Sequence, residues 1–480
     1  MKNNTLANSA FSVIKTLGSL LFPVITFSYV SRIFMTDGIG KINFASSTVS
    51  IFSMLAMLGI NYYGIRECSK KRDDKKALSK LFAELLSINL ISTFFSYIIL
   101  FYFVMISPRL GDYQSEIFLF SASIILGAIG VEWLYTAVED YRYLAIRSII
   151  LQAISLIAVV IFVHRKEDIN IYIKINVLSS GLISIIGFLH ARKYVDLRRI
   201  RLCNLGVHIR PILEIFLVTI FIRIFTDMDI VMVGLLSSES EVGLYSASYR
   251  ISTVLSAIIA SATTIIMPKI AYIFEKDDYE TANELLKSAI QYICLIGLPL
   301  AIGACVYSKN FIALLSGQSF IEATASSRIL SFRALISPIN GMFLLHYLIP
   351  RNNEKEAIII TSVAAISNIL LNVCLIPSLG AVGASIATVL SEIIEFIIMV
   401  KYIRRYMRYS YIFEGVTHYI IAVIPVVIIS IATLWLKHEV LSIVLGIAIT
   451  VPVYAGILKL LRNQYFDSGL KMIKEMINRD

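Results

Sequence analysis

Three arginines stand inside stretches that otherwise carry almost only apolar residues: Arg223, Arg250 and Arg333. A cation in hydrocarbon costs at least about 2.5–3.5 kcal/mol on insertion scales, so each must face protein or water. A guanidinium matches phosphate oxygens with paired donors, so a cavity holding all three would suit a phosphate or pyrophosphate head-group better than a neutral or cationic molecule. Five acids share these stretches: Glu132, Asp227, Asp229, Glu392 and Glu395. Arg223 and Asp227 are four apart on one helix face and can neutralise each other. Asp229 is turned by roughly 160° from Asp227 and needs another cation, a proton or a bound ion. Glu392 and Glu395, three apart, have three uses open to them: pairing with arginines, binding a coupling proton or Na⁺, or reaching the inner surface. Lys15 and Arg32 also lie within or at the ends of apolar stretches, Arg328 lies near an outer boundary, and Lys174 and Lys269, near span ends, can snorkel to water.

Other chemistries lack residues. Asp227-Met228-Asp229 matches the Asp-x-Asp of metal-dependent sugar transferases, but on a helix its carboxylates diverge and no nucleotide-binding domain accompanies it. No Walker sequence, nucleophile elbow or paired histidine ligands occur, so neither catalysis nor ATP hydrolysis is expected, and no cofactor or metal. His346 is a lone histidine in an apolar stretch and carries no mechanism. Of the five cysteines, Cys68 and Cys203 fall in inner loops while Cys294, Cys305 and Cys374 fall inside apolar segments, which excludes an outer disulfide framework.

The elements that must position these charges are long apolar segments. Fourteen are read, at approximately 11–34, 42–63, 82–106, 116–138, 143–163, 170–190, 212–236, 242–272, 285–307, 325–349, 357–377, 380–401, 415–436 and 440–461. Each has about the 20 residues that cross a bilayer. The start and even-numbered loops hold about 29 of the 43 Lys and Arg residues, and the odd-numbered loops only Lys41, Arg109, Arg165, Lys166, Lys309 and Lys437. Both termini are therefore expected in the cytoplasm. A hydrophobic content of 57% with 16% charge fits an all-α integral membrane fold. The net charge of +10 belongs to basic loops facing an anionic leaflet, so nucleic acid is not needed to explain it.

A weak repeat suggests two halves. Ile39-Gly40, Val242-Gly243 and Val382-Gly383 each open a segment at an outer turn, where glycine permits a tight turn or close helix approach. The first two lie six spans apart, which implies parallel six-helix halves around a cavity. The expected division is 1–210, with the basic loop 191–210, then 211–402, two extra helices in 403–461, and an amphipathic cytoplasmic tail, 462–480, bearing Phe466, Leu470, Ile473 and Ile477 on one stripe. The extra pair could line a lipid groove or pad the bundle.

These motifs resemble the Wzx-type flippases of the multidrug/oligosaccharidyl-lipid/polysaccharide superfamily. The first hairpin carries Pro23, Ser31-Arg32-Ile33, Gly38-Ile39-Gly40-Lys41, Asn43-Phe44-Ala45, Leu58-Gly59-Ile60 and Arg66-Glu67. The second half carries Thr226-Asp227-Met228-Asp229, Glu241-Val242-Gly243-Leu244-Tyr245-Ser246-Ala247 and Met267-Pro268. The resemblance spans roughly residues 8–402. It implies flipping of an undecaprenyl-pyrophosphate-linked oligosaccharide, for O-antigen or a related surface polysaccharide, across the bacterial inner membrane. Its partners would be that lipid-linked substrate, membrane lipid, and a polysaccharide polymerase with its chain-length regulator. Many relatives manage with twelve spans, and fourteen brings the chain nearer to lipid II flippases. The expected mechanism is alternating access, with Arg223 and Arg250 holding phosphate, Arg32, Arg66 and Arg333 as lesser contacts, and Asp229, Asp227, Glu392 and Glu395 as candidates for coupling H⁺ or Na⁺. Rival readings are an ion-coupled drug exporter, which predicts a net acidic cavity, a membrane glycan transferase or polymerase, and a non-transporting scaffold.

Overall fold

In the computed structural model, residues 2–196, 205–261, 273, 278–351, 353–405, 411, 413–436 and 438–477 are described. Within these, side chains are described except at 2–10, 12–14, 17, 218–219, 221–226, 279 and 472–477. Every described regular element is a helix, as lipid demands of a chain that must satisfy its own backbone N–H and C=O groups.

The chain divides into two compact units, Met1–Gly243 and Leu244–Asp480. The first contains α1 (Lys2–Met57), α2 (Ile60–Ser69), α3 (Lys75–Ile106), α4 (Pro108–Gly111), α5 (Gln114–Ile129), α6 (Glu132–Ala137), α7 (Tyr141–Phe162), α8 (Ile169–His190), α9 (Gly206–Leu236) and the start of α10 (Glu239–Ser261). The second contains the rest of α10, then α11 (Tyr279–Val306), α12 (Ser308–Ser316), α13 (Thr324–Phe343), α14 (Glu354–Ile403), α15 (Val416–Thr433), α16 (Glu439–Leu460) and α17 (Gln464–Ile477).

Each expected apolar segment falls mainly on helix where the chain is described. Eleven helices among the described residues are long and apolar enough to cross a membrane. Two of them are doubled: α1 is broken at Met35 and α14 at Gly380. Gly380 adopts φ 54°, ψ −129°, a conformation that a Cβ would strain. Large apolar side chains cover the outside, among them Phe94, Phe95, Ile98 and Met105 on α3 and Ile424 and Ile428 on α15. Such a coat suits hydrocarbon and not water.

Helix starts are set by acids. Asp74 accepts from the backbone of Lys76 at 2.9 Å and Ala77 at 3.1 Å to begin α3. Asp140 accepts from Tyr143 N at 3.3 Å for α7, and Asp278 from Thr281 N at 3.2 Å for α11. Each satisfies donors that the first turn leaves unpaired.

The repeated outer-turn glycines mark close backbone approach. A Cβ on Gly40 would overlap Glu239 O, and one on Gly243 would overlap Thr36 O. The two turns thus pack reciprocally, four residues separating Thr36 from Gly40 and four separating Glu239 from Gly243. At Gly383 a Cβ would meet Leu375 O at 2.5 Å. Arg109 seals the nearby end of α9, donating to Gly234 O and Ser237 O, both at 3.0 Å. Tyr113 donates to Glu239 Oε1 at 2.7 Å.

One core of the first unit gathers Tyr63, Leu81, Phe82, Trp133, Leu134 and Tyr135. Trp133 lies against Gly64, whose Cβ it would meet at 2.9 Å, and tilts over Phe82 with ring centroids 5.5 Å apart. In the second unit, Ile290, Phe343, Tyr347, Met399, Tyr419 and Leu458 form a core that ties α15 and α16 to α11. Tyr454 donates to Leu295 O at 3.0 Å, and Tyr307 meets Thr433 Oγ1 at 2.5 Å. The extra helix pair is therefore packed on the second unit. Phe466 of α17 joins that core, and Tyr465 meets Tyr292 edge to face. Trp435, just beyond α15, is 86% exposed.

Candidate functional site: intramembrane charge clusters

Among the described residues, each unit holds a cluster of ionisable side chains that includes a buried arginine. In the second unit Arg333 on α13 forms an ion pair with Glu392 on α14, its Nε 3.1 Å from Oε1, with both side chains buried. Its guanidinium lies over the Tyr249 ring of α10, 4.7 Å from the centroid. Asn340, two turns further along α13, donates to Glu392 O at 3.0 Å and to Glu395 Oε2 at 3.2 Å. Of the three uses left open for the glutamates, Glu392 takes the arginine. Glu395 meets an amide, and neither reaches the surface: they are 1% and 8% exposed. The single-turn spacing that Glu392 and Glu395 share places both toward α13.

In the first unit the cluster is Lys15, Glu132 and Arg147. Glu132 opens α6 after a break at Gly130 and Val131, the latter at φ 35°, ψ 34°. Its Oε2 lies 3.2 Å from Lys15 Nζ and its Oε1 2.9 Å from Arg147 Nη2. The Arg147 side chain is only 3% exposed. Its guanidinium lies 5.2 Å from the Tyr143 centroid and 5.7 Å from that of Tyr135, and these faces favour a cation. From sequence alone Arg147, near the start of the segment 143–163 and two turns from Asp140, counts with the charges of the adjoining inner loop. Glu132 is among the expected intramembrane acids, but the helix break that turns it toward Arg147 has no proline to announce it.

The remaining expected residues are dispersed. Arg32 is exposed on α1 and donates to Ser28 Oγ at 2.8 Å and to the Ser28 carbonyl. Arg66 is exposed on α2, 3.0 Å from Glu67 Oε1 and over the Tyr63 ring. Arg250 is half-buried on α10. Asp229 is fully buried on α9, and Asp227, half-buried, accepts from Ser50 Oγ at 3.1 Å. The Arg223 side chain, Lys269, Met267-Pro268, Cys203 and Lys437 lie outside the described residues, so the expected Arg223–Asp227 pairing does too. Among the described residues no group of three His, Cys, Asp or Glu could hold a metal ion.

Long apolar helices carrying buried ion pairs define a multi-pass membrane protein. Its fold is that of a lipid II flippase solved in an inward closed conformation, with a TM-score of 0.78 over 95% of this chain and 99% of that one at 13% identity. An inward-facing multidrug resistance transporter of the MATE family, within the MOP superfamily, aligns with a TM-score of 0.59 over 82% of this chain and 95% of that one, also at 13% identity. The chain belongs to the polysaccharide biosynthesis protein family, whose model matches residues 5–274. A protein of Escherichia coli K12 described as a putative O-antigen transporter is 22% identical over 391 residues, 80% of this chain and 93% of that protein. The resemblance to the Wzx-type branch read from the first hairpin and the Val-Gly turns is borne out. These relatives are named for transport and flipping, the Escherichia coli protein as a transporter and the solved structure as a flippase.

Proposed function

We propose that the protein flips an undecaprenyl-pyrophosphate-linked oligosaccharide, an O-antigen or related repeat unit, from the inner to the outer leaflet of the bacterial cytoplasmic membrane. The observation that carries this reading is the presence of cations inside apolar helices of a chain in the polysaccharide biosynthesis family. Guanidinium groups recognise the diphosphate through paired, charge-assisted bonds that a neutral or cationic drug cannot use. Arg250 and Arg223 hold phosphate at mid-depth. Arg32 and Arg66, both exposed, are lesser contacts along the path. Arg333, bound to Glu392, sets the position of α13 on α14 and contacts cargo last. The polyprenyl tail stays in lipid while the halves alternate access.

Asp229 binds the coupling ion, H⁺ or Na⁺, with Asp227 on another face of the same helix and Glu392 and Glu395 as further candidates. Asp229 is fully buried, and an ionisable side chain within an apolar span marks a functional position. The termini lie in the cytoplasm, and a polymerase with its chain-length regulator takes the flipped product.

The test is complementation of a flippase-null strain. Arg250→Ala and Arg223→Ala should each abolish surface polysaccharide while the protein remains in the membrane at wild-type level. Normal polysaccharide from both variants would reject the phosphate-binding assignment.

A further inference from the structure

We propose that Lys15, Glu132 and Arg147 form a loading station for pyrophosphate near the inner face of the first unit, with Glu132 as a built-in counter-ion that the arriving anion displaces. This rests on the flippase reading above. One carboxylate serves two cations, so the trio carries a surplus positive charge. The Arg147 side chain is almost wholly buried, yet its Nε and Nη1 find no hydrogen-bond acceptor among the described residues. Two carbonyls of α8 are engaged by the tyrosines that flank the guanidinium: Gly187 O accepts from Tyr135 Oη, and Ile186 O from Tyr143 Oη at 3.1 Å. A Cβ on residue 187 would overlap Nη1, so glycine there leaves the guanidinium its room. A buried donor without an acceptor is costly, and once Glu132 leaves, Nη2 is free to form a two-donor edge with Nε or with Nη1 for two oxygens of one phosphate.

Accessibility differs across the trio in the way displacement requires. Glu132 is 45% exposed and Lys15 32%, whereas Arg147 is sealed behind them. The carboxylate can swing out on its own side chain while the arginine stays fixed by its aromatic bed. The location fits arrival from the cytoplasmic leaflet. The helix that Glu132 opens ends five residues later, at Ala137, and leads to Glu139 and Asp140, which hold the basic-loop residue Arg72 at 2.7 Å and Tyr194 at 2.6 Å. A lipid-linked diphosphate at head-group depth would meet Lys15 first and then Arg147.

The test is native mass spectrometry of the full chain released from phosphatidylcholine nanodiscs and titrated with farnesyl pyrophosphate, with inorganic pyrophosphate in a parallel arm. Lys15→Gln and Arg147→Lys should each weaken farnesyl pyrophosphate binding by about tenfold, the loss of one charge-assisted contact. Glu132→Gln should tighten it by about threefold or more, because the competing carboxylate is gone. A purely structural ion pair predicts the opposite for Glu132→Gln: a lower unfolding temperature and no gain in affinity, which would overturn the station. Equal affinity in all four proteins would also overturn it while leaving the flippase reading intact. Absence of farnesyl pyrophosphate binding by the wild type would sink both. If the gain in Glu132→Gln appears with inorganic pyrophosphate too, the site stands as one for the diphosphate itself; a gain confined to the farnesyl form supports it as a lipid head-group site.

Discussion

Arg147 and Arg333 are the same residue type in opposite electrostatic company. Arg333 meets Glu392 where a second carboxylate, Glu395, stands close by, whereas Arg147 shares one carboxylate with another cation. Removing the carboxylate from each pair should therefore have unequal effects. Glu392→Gln removes the carboxylate paired with a buried guanidinium and is expected to destabilise by about 3–5 kcal/mol, read as a lower unfolding temperature in detergent. Glu132→Gln, at a half-exposed carboxylate, should cost far less, so a similar drop in both variants would contradict this difference in burial. Arg333, Glu392, Glu395 and Glu132 are legible in the sequence because each interrupts an apolar run. Which acid meets which base is not, since Arg333 and Glu392 lie on different helices and Arg147 is concealed by the charged turn before it.

Helix ends and close approaches carry the next level of specificity. Substituting alanine for Gly40 drives a Cβ into the Glu239 backbone, and overpacking of this kind costs about 1–3 kcal/mol. Gly127, where an added Cβ would meet nothing within 4 Å, is the control: Gly127→Ala should be neutral or stabilise by up to about 1 kcal/mol through helix propensity. Thermal unfolding of the two variants compares them directly. Further along, Lys287 on α11 reaches Glu414, just before α15, at 2.5 Å. That hydrogen bond holds the Glu414 carboxyl below the usual carboxylate range. A lowered folded-state value contributes stability above the carboxylate's unfolded pKa, lost as pH falls through the folded one. Acidification below about pH 4.5 should thus lower the unfolding temperature slightly, and Glu414→Gln should remove that portion of the pH dependence. Asp278→Ala, which deletes the cap of α11, should cost about 0.5–2 kcal/mol. The period and length of the apolar segments foretell these helices well. The break at Met35 falls where the segment 11–34 ends, whereas that at Gly130–Val131 lies inside the segment 116–138 and is not legible, because a turn there depends on the packing around it.

Across the whole molecule, charge distribution and apolar length together specify a chain that threads the bilayer many times. Alkaline phosphatase fused after Arg405 should be inactive, and fused after Arg109 active, if the basic loops face the cytoplasm. Reversed activities would invert the orientation and move the loading station to the outer face. The repeat of Ile39-Gly40 and Val242-Gly243 is legible as a pattern of two residues, and its physical meaning is the reciprocal backbone contact of Thr36 with Gly243 and Gly40 with Glu239. The two tryptophans of the chain happen to occupy contrasting surroundings. Trp133, adjacent in sequence to Glu132, is 2% exposed, while Trp435 is 86% exposed. Replacing Trp435 with phenylalanine would leave a single indole beside the charged trio, so emission and quenching could follow anion arrival in real time without attaching a dye.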